Sequence, residues 1–249
     1  MLRVVEAVKG FGGITAVNHC SLEVIEGSIT GLIGPNGAGK STLFDLITGF
    51  QKLDEGEIYY KDECVDGLPS HELALRGLVR TFQITQPFSR LRVLENMLFP
   101  PKGQVGERIW NAWFKPGRVR VQEGLNRKKA LELLAYVELH HLKDEPAGNL
   151  SSGQMKLLEL ARALMIDPQL LLLDEPLAGI SPSLTKKLIN YIKELQSSGM
   201  TFLIVEHNME AIMEICEKIF VLDGGRVISE GTPDEIRGDK KVLDAYLGV

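Results

Sequence analysis

The sequence has 249 residues, of which 44% are hydrophobic and 24% are charged. These proportions are typical of a soluble globular protein and exclude a disordered, collagen-like or low-complexity chain. The formal net charge is −5 and no basic block stands out, so we expect no nucleic-acid partner. The length favours one large domain, or one domain with a sizeable insertion.

The three cysteines, Cys20, Cys64 and Cys216, are scattered along the chain and form no Cys-x-x-Cys pair. This usage fits a reducing compartment and predicts no zinc site. No apolar stretch approaches the roughly 18 residues that a membrane-spanning helix needs. The first residues carry charged side chains instead of the apolar segment of a secretory signal. We therefore expect a cytoplasmic location.

The first part of the chain predicts short strands followed by a turn and a helix. Leu2 to Val8 and Cys20 to Ile25 have β-strand character and indicate an antiparallel flank. Ile29 to Ile33 is a compact apolar run that leads into a glycine-rich turn. A helix is predicted next, over Lys40 to Thr48, because its apolar residues recur at helical spacing.

The middle of the chain, residues 84–165, carries helical patterns and few strand patterns. We interpret it as an inserted helical subdomain, with residues 1–83 and 166–249 forming the core. A loop-like stretch from Pro100 to Gly117 interrupts the helical patterns. The helices are predicted over Leu91 to Leu98, Val121 to Val137 and Met155 to Leu164.

The last part of the chain alternates strand and helix patterns. Leu170 to Leu173, Thr201 to Val205 and Ile219 to Leu222 are candidates for buried strands. Leu184 to Leu195 has the spacing of an amphipathic helix between the first two. This alternation predicts an α/β fold with a parallel sheet and right-handed crossovers.

Residues 34–41 satisfy the phosphate-loop pattern G-x-x-x-x-G-K-[ST] between a predicted strand and a predicted helix. Its glycines let backbone N–H groups curl around phosphate oxygens, and the start of the following helix adds a favourable partial charge. In such a loop Lys40 reaches the β- and γ-phosphates and the Ser41 hydroxyl binds Mg²⁺. A purely structural glycine-rich turn is the alternative. The predicted nucleotide contacts are Gly34, Pro35, Asn36, Gly37, Ala38, Gly39, Lys40, Ser41 and Thr42.

The apolar run Leu170 to Leu173 ends in two adjacent acids, Asp174 and Glu175, in the manner of a Walker B strand. Successive side chains on a strand point in opposite directions, so the two acids can serve different tasks. We predict that Asp174 holds Mg²⁺ through water and that Glu175 orients or deprotonates the attacking water. An ordinary acidic turn is common for so short a pattern alone, but it is improbable downstream of a phosphate loop.

The four residues that directly precede the helical run from Met155 would sit at a helix N-terminus. Their hydroxyl groups and backbone amides are suited to binding an anion. For Ser-Ser-Gly alone, an ordinary serine helix cap is the simpler interpretation. The order of the motifs changes that judgement, because it matches a known arrangement. The four residues are Ser151, Ser152, Gly153 and Gln154.

The phosphate loop, Leu-Ser-x-Gly-Gln and Leu-Leu-Leu-Asp-Glu-Pro, in that order, resemble the nucleotide-binding subunit of an ABC transporter over essentially the whole chain. The resemblance implies a single domain, residues 1–249, with an ABC-type P-loop NTPase core that hydrolyses ATP and uses Mg²⁺. It implies that Ser151 to Gln154 close on the phosphate loop of a second ATPase subunit, identical or paralogous, in a head-to-tail dimer. Transmembrane permease subunits would dock near Gln83 and the helical subdomain, at the cytoplasmic face of the plasma membrane. A solute-binding protein would be an indirect partner.

Three further positions match functional residues of the family. Phe11 matches the aromatic that stacks on adenine, and Gln83 matches the glutamine that senses Mg²⁺ and the γ-phosphate. His207 matches the switch histidine that hydrogen-bonds the γ-phosphate. Two positions depart from the family: Ser152 replaces a glycine, which matters if that backbone needs positive φ, and Ser181 replaces an aspartate or asparagine, which predicts a weaker contact between subunits.

Three segments and an aromatic insertion resemble the larger ATPase subunit of branched-chain or hydrophobic amino-acid importers. The segments are Arg80 to Gln83, Val93 to Asn96 and Leu243 to Gly248. The alternatives are the motor of a lipid or lipopolysaccharide exporter, a non-transport ABC ATPase of DNA repair or translation, and a module that binds ATP without hydrolysing it. No long coiled coil separates the two Walker motifs, which disfavours a repair protein. The inserted stretch adds three aromatics, commonly a packed flap: Trp110, Trp113 and Phe114.

Overall fold

The computed structural model describes residues 1–81, 87–101 and 116–247. These residues divide into two compact units. The first contains the described residues of Met1–Gln83, Pro168–Ala178 and Pro182–Val249. The second contains those of Ile84–Asp167 and Gly179–Ser181.

Strands and helices alternate between residues 170 and 223, as the sequence patterns predict. The strands are β1 (Leu2–Phe11), β2 (Ile14–Val24), β3 (Ile29–Ile33), β4 (Glu55–Tyr60), β5 (Glu63–Cys64), β6 (Leu78–Arg80), β7 (Leu170–Asp174), β8 (Thr201–Val205), β9 (Lys218–Asp223) and β10 (Arg226–Gly231). The helices are α1 (Lys40–Ile47), α2 (Ser70–Arg76), α3 (Val93–Leu98), α4 (Pro116–Tyr136), α5 (Ser152–Leu164), α6 (Pro182–Ser197), α7 (Met209–Ile215), α8 (Pro233–Gly238) and α9 (Lys240–Leu247).

The first unit contains two sheets. One has the order β2-β1-β4-β5 and is antiparallel throughout. The other has the order β10-β9-β3-β8-β7-β6 and is parallel except for the pair of β9 and β10. The α/β fold and the antiparallel flank predicted from the sequence are confirmed, but the main sheet is mixed because β10 folds back on β9.

The central strands of the mixed sheet are buried along their whole length. Every residue of β3, β7 and β8 is shielded from solvent, which explains why their sequences are apolar runs without alternation. Parallel pairing aligns Leu32 with Val205 and Asp174 with the same Val205. The carboxyl ends of these three strands therefore lie side by side, where ligands bind in open α/β sheets.

The second unit is built from α3, α4 and α5 with two short 3₁₀ turns, His140–Leu142 and Ala147–Asn149. Its core includes the fully buried side chains of Met97 and Leu134. Asn96 is also fully buried, and its Oδ1 accepts a hydrogen bond from the Phe88 N–H at 2.8 Å. A polar side chain is thus kept inside this core because its hydrogen bonds are satisfied.

The helix expected over Val121 to Val137 and the loop expected from Pro100 to Gly117 are both wrong in their bounds. Helix α4 begins at Pro116, so the last two residues of the expected loop from Pro100 to Gly117 are helical. Proline fits the first turn of a helix because an N–H group at that position would have no hydrogen-bond partner within the helix. The aromatic residues Trp110, Trp113 and Phe114 lie outside the described residues. Among the described residues, none of the helices has the length and apolar character that crossing a membrane requires.

The three cysteines provide a test of the fold. Burial raises the pKa of Cys20 and of Cys216 to about 12 each, and both thiols are enclosed, whereas Cys64 is exposed. At pH 8 a thiol of pKa about 12 is roughly one part in ten thousand thiolate, the reactive form. We expect one thiol per chain to react rapidly with a disulfide reagent and the other two only in denaturant. Cys64→Ser should remove the rapid phase; a second rapidly reacting thiol would contradict the fold.

Candidate functional site

The phosphate loop connects β3 to α1 and depends on two glycines. Gly34 has φ 148°, and a Cβ there would lie 2.0 Å from the carbonyl oxygen of Leu222. Gly39 has φ 101°, and its Cβ would lie 2.3 Å from the carbonyl oxygen of Ala16. Any other residue at either position would collide with backbone, so the loop conformation requires both glycines.

Lys40 opens α1 and is held under the loop. Its side chain is buried, and Nζ donates hydrogen bonds to the carbonyl oxygens of Gly34 at 2.8 Å and Pro35 at 2.9 Å. Burial lowers the pKa of this ammonium, and the carboxylates of Glu175 and Asp174 oppose that shift. The loop carbonyls thus fix the position of a cation beside the backbone N–H groups of the loop.

A cleft of about 310 Å³ is bounded by the loop on one side and by the ends of β7 and β8 on the other. Its lining brings together residues that are far apart in sequence. The lining residues are Ala16, Asn36, Gly37, Ala38, Gly39, Lys40, Ser41, Thr42, Glu175 and His207.

Glu175 and His207 form a contact at the edge of this cleft. His207 Nε2 lies 3.0 Å from Glu175 Oε1, within hydrogen-bond distance. Glu175 follows β7 directly and has φ 48°, a left-handed conformation that is unfavourable for a residue with a Cβ. Its N–H donates to the carbonyl oxygen of Val205 at 2.9 Å, so the neighbouring strand holds it in this conformation.

Asp174 is the last residue of β7, directly before the cleft residue Glu175, and is only 2% exposed to solvent. Its Oδ2 accepts a hydrogen bond from Arg80 Nη2 at 2.9 Å, while its buried Oδ1 has no hydrogen-bond partner among the described residues. Arg80 also contacts Asp45 on α1 at 2.5 Å. The guanidinium therefore ties the strand-end acid to the helix that follows the phosphate loop.

Glu206 is a structural part of the site that the sequence patterns do not single out. It follows β8 and is 3% exposed. Its Oε1 accepts from the Leu177 N–H at 2.6 Å, and its Oε2 accepts from the N–H groups of His207 at 3.0 Å and Asn208 at 3.3 Å. Hydrogen bonds from N–H groups to a carboxylate are stronger than neutral ones. Glu206 thereby joins the segments that carry Glu175 and His207; an acid directly after a buried strand is the sequence feature that could have indicated it.

The remaining predicted site residues are not part of the cleft lining. Phe11 ends β1, is 47% exposed and has the Lys9 ammonium 5.7 Å from its ring centroid. Gln83 lies outside the described residues. Residues 151–154 belong to the second unit, whereas the cleft residues belong to the first.

The segment 151–154 forms a helix cap. Ser151 Oγ accepts from the Gln154 N–H at 3.3 Å, and Gln154 Oε1 accepts from the Ser151 N–H at 2.9 Å. This reciprocal capping box starts α5 at Ser152, three residues before the predicted Met155. Ser152 has no positive φ, so its replacement of the usual glycine introduces no backbone strain.

Two protein-family models match parts of this chain. A family model described as "ABC transporter" matches residues 17–178. The chain belongs to the ABC transporter family. A second model, described as "Branched-chain amino acid ATP-binding cassette transporter", matches residues 226–249 of this ABC protein. The resemblance predicted from the motif order is confirmed.

Individual relatives cover nearly the whole chain. A "probable branched-chain amino acid transport ATP-binding protein LivG" of Archaeoglobus fulgidus is 42% identical over 96% of this chain and 92% of its own length. The ADP conformation of an ATP-binding cassette of an ABC transporter superposes with a TM-score of 0.84, at 37% identity, over 100% of this chain and 99% of that one. A dimeric post-hydrolysis cassette bound to ADP and Pi gives a TM-score of 0.78, at 28% identity, over 94% of this chain and 99% of that one.

The contacts of Glu206 lead to a stability prediction. Glu206→Gln replaces one acceptor oxygen with an NH₂ group that cannot accept the same hydrogen bonds. We expect the free energy of unfolding to fall by about 1–3 kcal/mol because buried N–H groups lose their acceptor. Glu23→Gln, on an exposed position of β2, should change it by less than about 0.5 kcal/mol. Denaturant titration measures both, and equal stabilities would contradict the role of Glu206.

Proposed function

We propose that this ABC ATPase is the motor subunit of an importer for branched-chain or other hydrophobic amino acids. The observation that carries the proposal is the cleft in which the phosphate loop, Lys40 and the contact between Glu175 and His207 face one another. The amino-acid class is supported by the family model over residues 226–249 and by the relative that is 42% identical.

The phosphate loop and Lys40 are proposed to bind the phosphates of ATP. Backbone N–H groups of the loop after Pro35 and the start of α1 favour a polyanion in the cleft. The Lys40 ammonium already lies against the loop through its bonds to Gly34 and Pro35, so little reorganisation is needed when phosphates enter. Phe11 is proposed to stack on adenine, for which its exposed ring is suited.

The donor atoms near the cleft fit Mg²⁺, which prefers oxygen ligands. Asp174 Oδ1 is buried without a hydrogen-bond partner among the described residues, and the exposed Ser41 contributes to the cleft lining. Ser41, Asp174 and Gln83 are the residues proposed to hold the ion. When bound, Mg²⁺ would offset negative charge on the phosphates. Arg80 contributes by keeping the Asp174 carboxylate in one orientation through Oδ2.

Glu175, His207, Gln83 and Lys40 are proposed as the catalytic residues. Glu175 would orient the attacking water and accept its proton, and His207 would hydrogen-bond the γ-phosphate. The distance of 3.0 Å between their side chains lets each fix the position of the other. Catalysis of phosphoryl transfer is mostly positioning and charge stabilisation. Glu175 and His207 can supply positioning from the segments that follow β7 and β8, and Lys40 can supply charge stabilisation from the start of α1.

The complete site is proposed to need a second ATPase subunit, identical or paralogous. Residues 151–154, on the second unit, would close on the partner's phosphate loop, and a dimeric cassette at 28% identity supports this arrangement. We further propose that residues 84–165 act as the helical subdomain on which permease subunits dock, at the cytoplasmic face of the membrane. A solute-binding protein would then act through those permeases.

The role of Glu175 can be tested by Glu175→Gln. We expect ATP binding to persist while turnover falls by about 10²–10⁴-fold, because the amide cannot accept the proton of water. Lys40→Ala should instead lose nucleotide affinity, and Glu23→Gln should match the unmodified protein. Nucleotide titration and phosphate release measure the two effects separately. Normal hydrolysis by the Glu175→Gln variant would remove Glu175 from its proposed role.

The substrate class requires the assembled transporter. In a complex reconstituted with its permeases, ATPase activity should rise by at least about fivefold when a solute-binding protein loaded with leucine, isoleucine or valine is added. The ligand-free binding protein is the matched control. Stimulation by lipid alone would contradict the importer and favour an exporter.

A further inference from the structure

Tyr246 connects helix α9 to the phosphate loop. Its hydroxyl oxygen accepts a hydrogen bond from the Gly34 N–H at 2.9 Å, although the two residues are 212 positions apart. Gly34 is buried, and Tyr246 is 41% exposed. Burial raises the pKa of the phenol and the Gly34 N–H opposes that shift. A side chain outside the nucleotide motifs thus satisfies the N–H of the first residue of the loop.

Gly34 is held from two directions. Its N–H donates a hydrogen bond to the Tyr246 hydroxyl, and its carbonyl oxygen accepts a hydrogen bond from the Lys40 ammonium at 2.8 Å. The close approach of Leu222 leaves no room for a side chain at this position. The orientation of the Gly34 peptide groups therefore sets where the Lys40 ammonium rests, and Tyr246 is one of the groups that fixes this orientation.

Helix α9 is anchored at a few points. The preceding Asp239 accepts a hydrogen bond from Ser229 Oγ on β10 at 2.5 Å, and Val242 is 4% exposed. Tyr246 lies one helical turn after Val242, so both side chains project from the same face. A helix of eight residues is marginal on its own in water. Its docking therefore depends on these contacts, and among them it is the Tyr246 hydroxyl that reaches the loop residue Gly34.

We propose that Tyr246 is a positioning residue for the phosphate loop, and that docking of α9 and binding of nucleotide favour each other. The proposal rests on the proposed nucleotide site. Without the hydroxyl, the buried Gly34 N–H loses its acceptor, and the loop spends less time in the conformation that binds phosphate. Apparent affinity falls in proportion to the population of that conformation. Linkage is reciprocal, so nucleotide must also stabilise the docked helix.

The test compares Tyr246→Phe, which removes only the hydroxyl, with Leu243→Ala, a matched control on an exposed position of the same helix. The full chain is titrated with fluorescent ADP, and hydrogen exchange of residues 240–247 is followed with and without ADP. We expect Tyr246→Phe to bind ADP about three- to tenfold more weakly and Leu243→Ala to bind it normally. ADP should slow exchange of 240–247 in the unmodified protein and have a smaller effect in Tyr246→Phe.

The outcomes separate this inference from the proposed function. If the unmodified protein fails to bind ADP, the nucleotide site itself is wrong. If it binds ADP, but Tyr246→Phe binds equally well and exchange of 240–247 does not respond to ADP, only the role of Tyr246 is overturned. Equal weakening by Leu243→Ala would also overturn it, because the effect would then come from the helix and not from the hydroxyl. Circular dichroism and thermal unfolding establish that both variants are folded.

Discussion

The parallel pairing of β3, β8 and β7 is the constraint on which the rest of the site depends. Val205 is aligned with Leu32 on one side and with Asp174 on the other, so the three strands end at the same level of the sheet. A slip of one residue would move every side chain of the slipped strand to the opposite face and separate the loop from the acids. Fully buried apolar strands resist such a slip because both faces are packed.

Charged groups below the cleft keep these strand ends in place. Arg80 joins Asp174 to the helix after the phosphate loop, and Glu206 joins the segments that follow β7 and β8. Buried charges are costly unless they are paired and hydrogen-bonded. The acids expected to act on nucleotide are therefore supported by a second group of ionic residues that makes the strand ends rigid.

The sequence predicts the parts of the fold that depend on local patterns. The strand Ile29–Ile33 and the loop that follows it were predictable because an apolar run, fixed glycines and a helical spacing lie next to one another. Strands β4 and β10 were not predicted, because most of their residues are at least partly exposed and form no apolar run. Tyr246 was not predicted because a hydrogen bond across 212 positions leaves no periodic pattern.

The left-handed backbone of Glu175 has a consequence for how this protein can change over evolution. For a residue with a Cβ, this conformation costs on the order of 1 kcal/mol relative to the right-handed one. The hydrogen bond from the Glu175 N–H to Val205 on the neighbouring strand offsets this cost. Glycine would relieve the strain but lose the carboxylate. Selection for greater thermal tolerance must therefore act elsewhere in the molecule, since at this position a gain in stability would remove the carboxylate that we propose for catalysis.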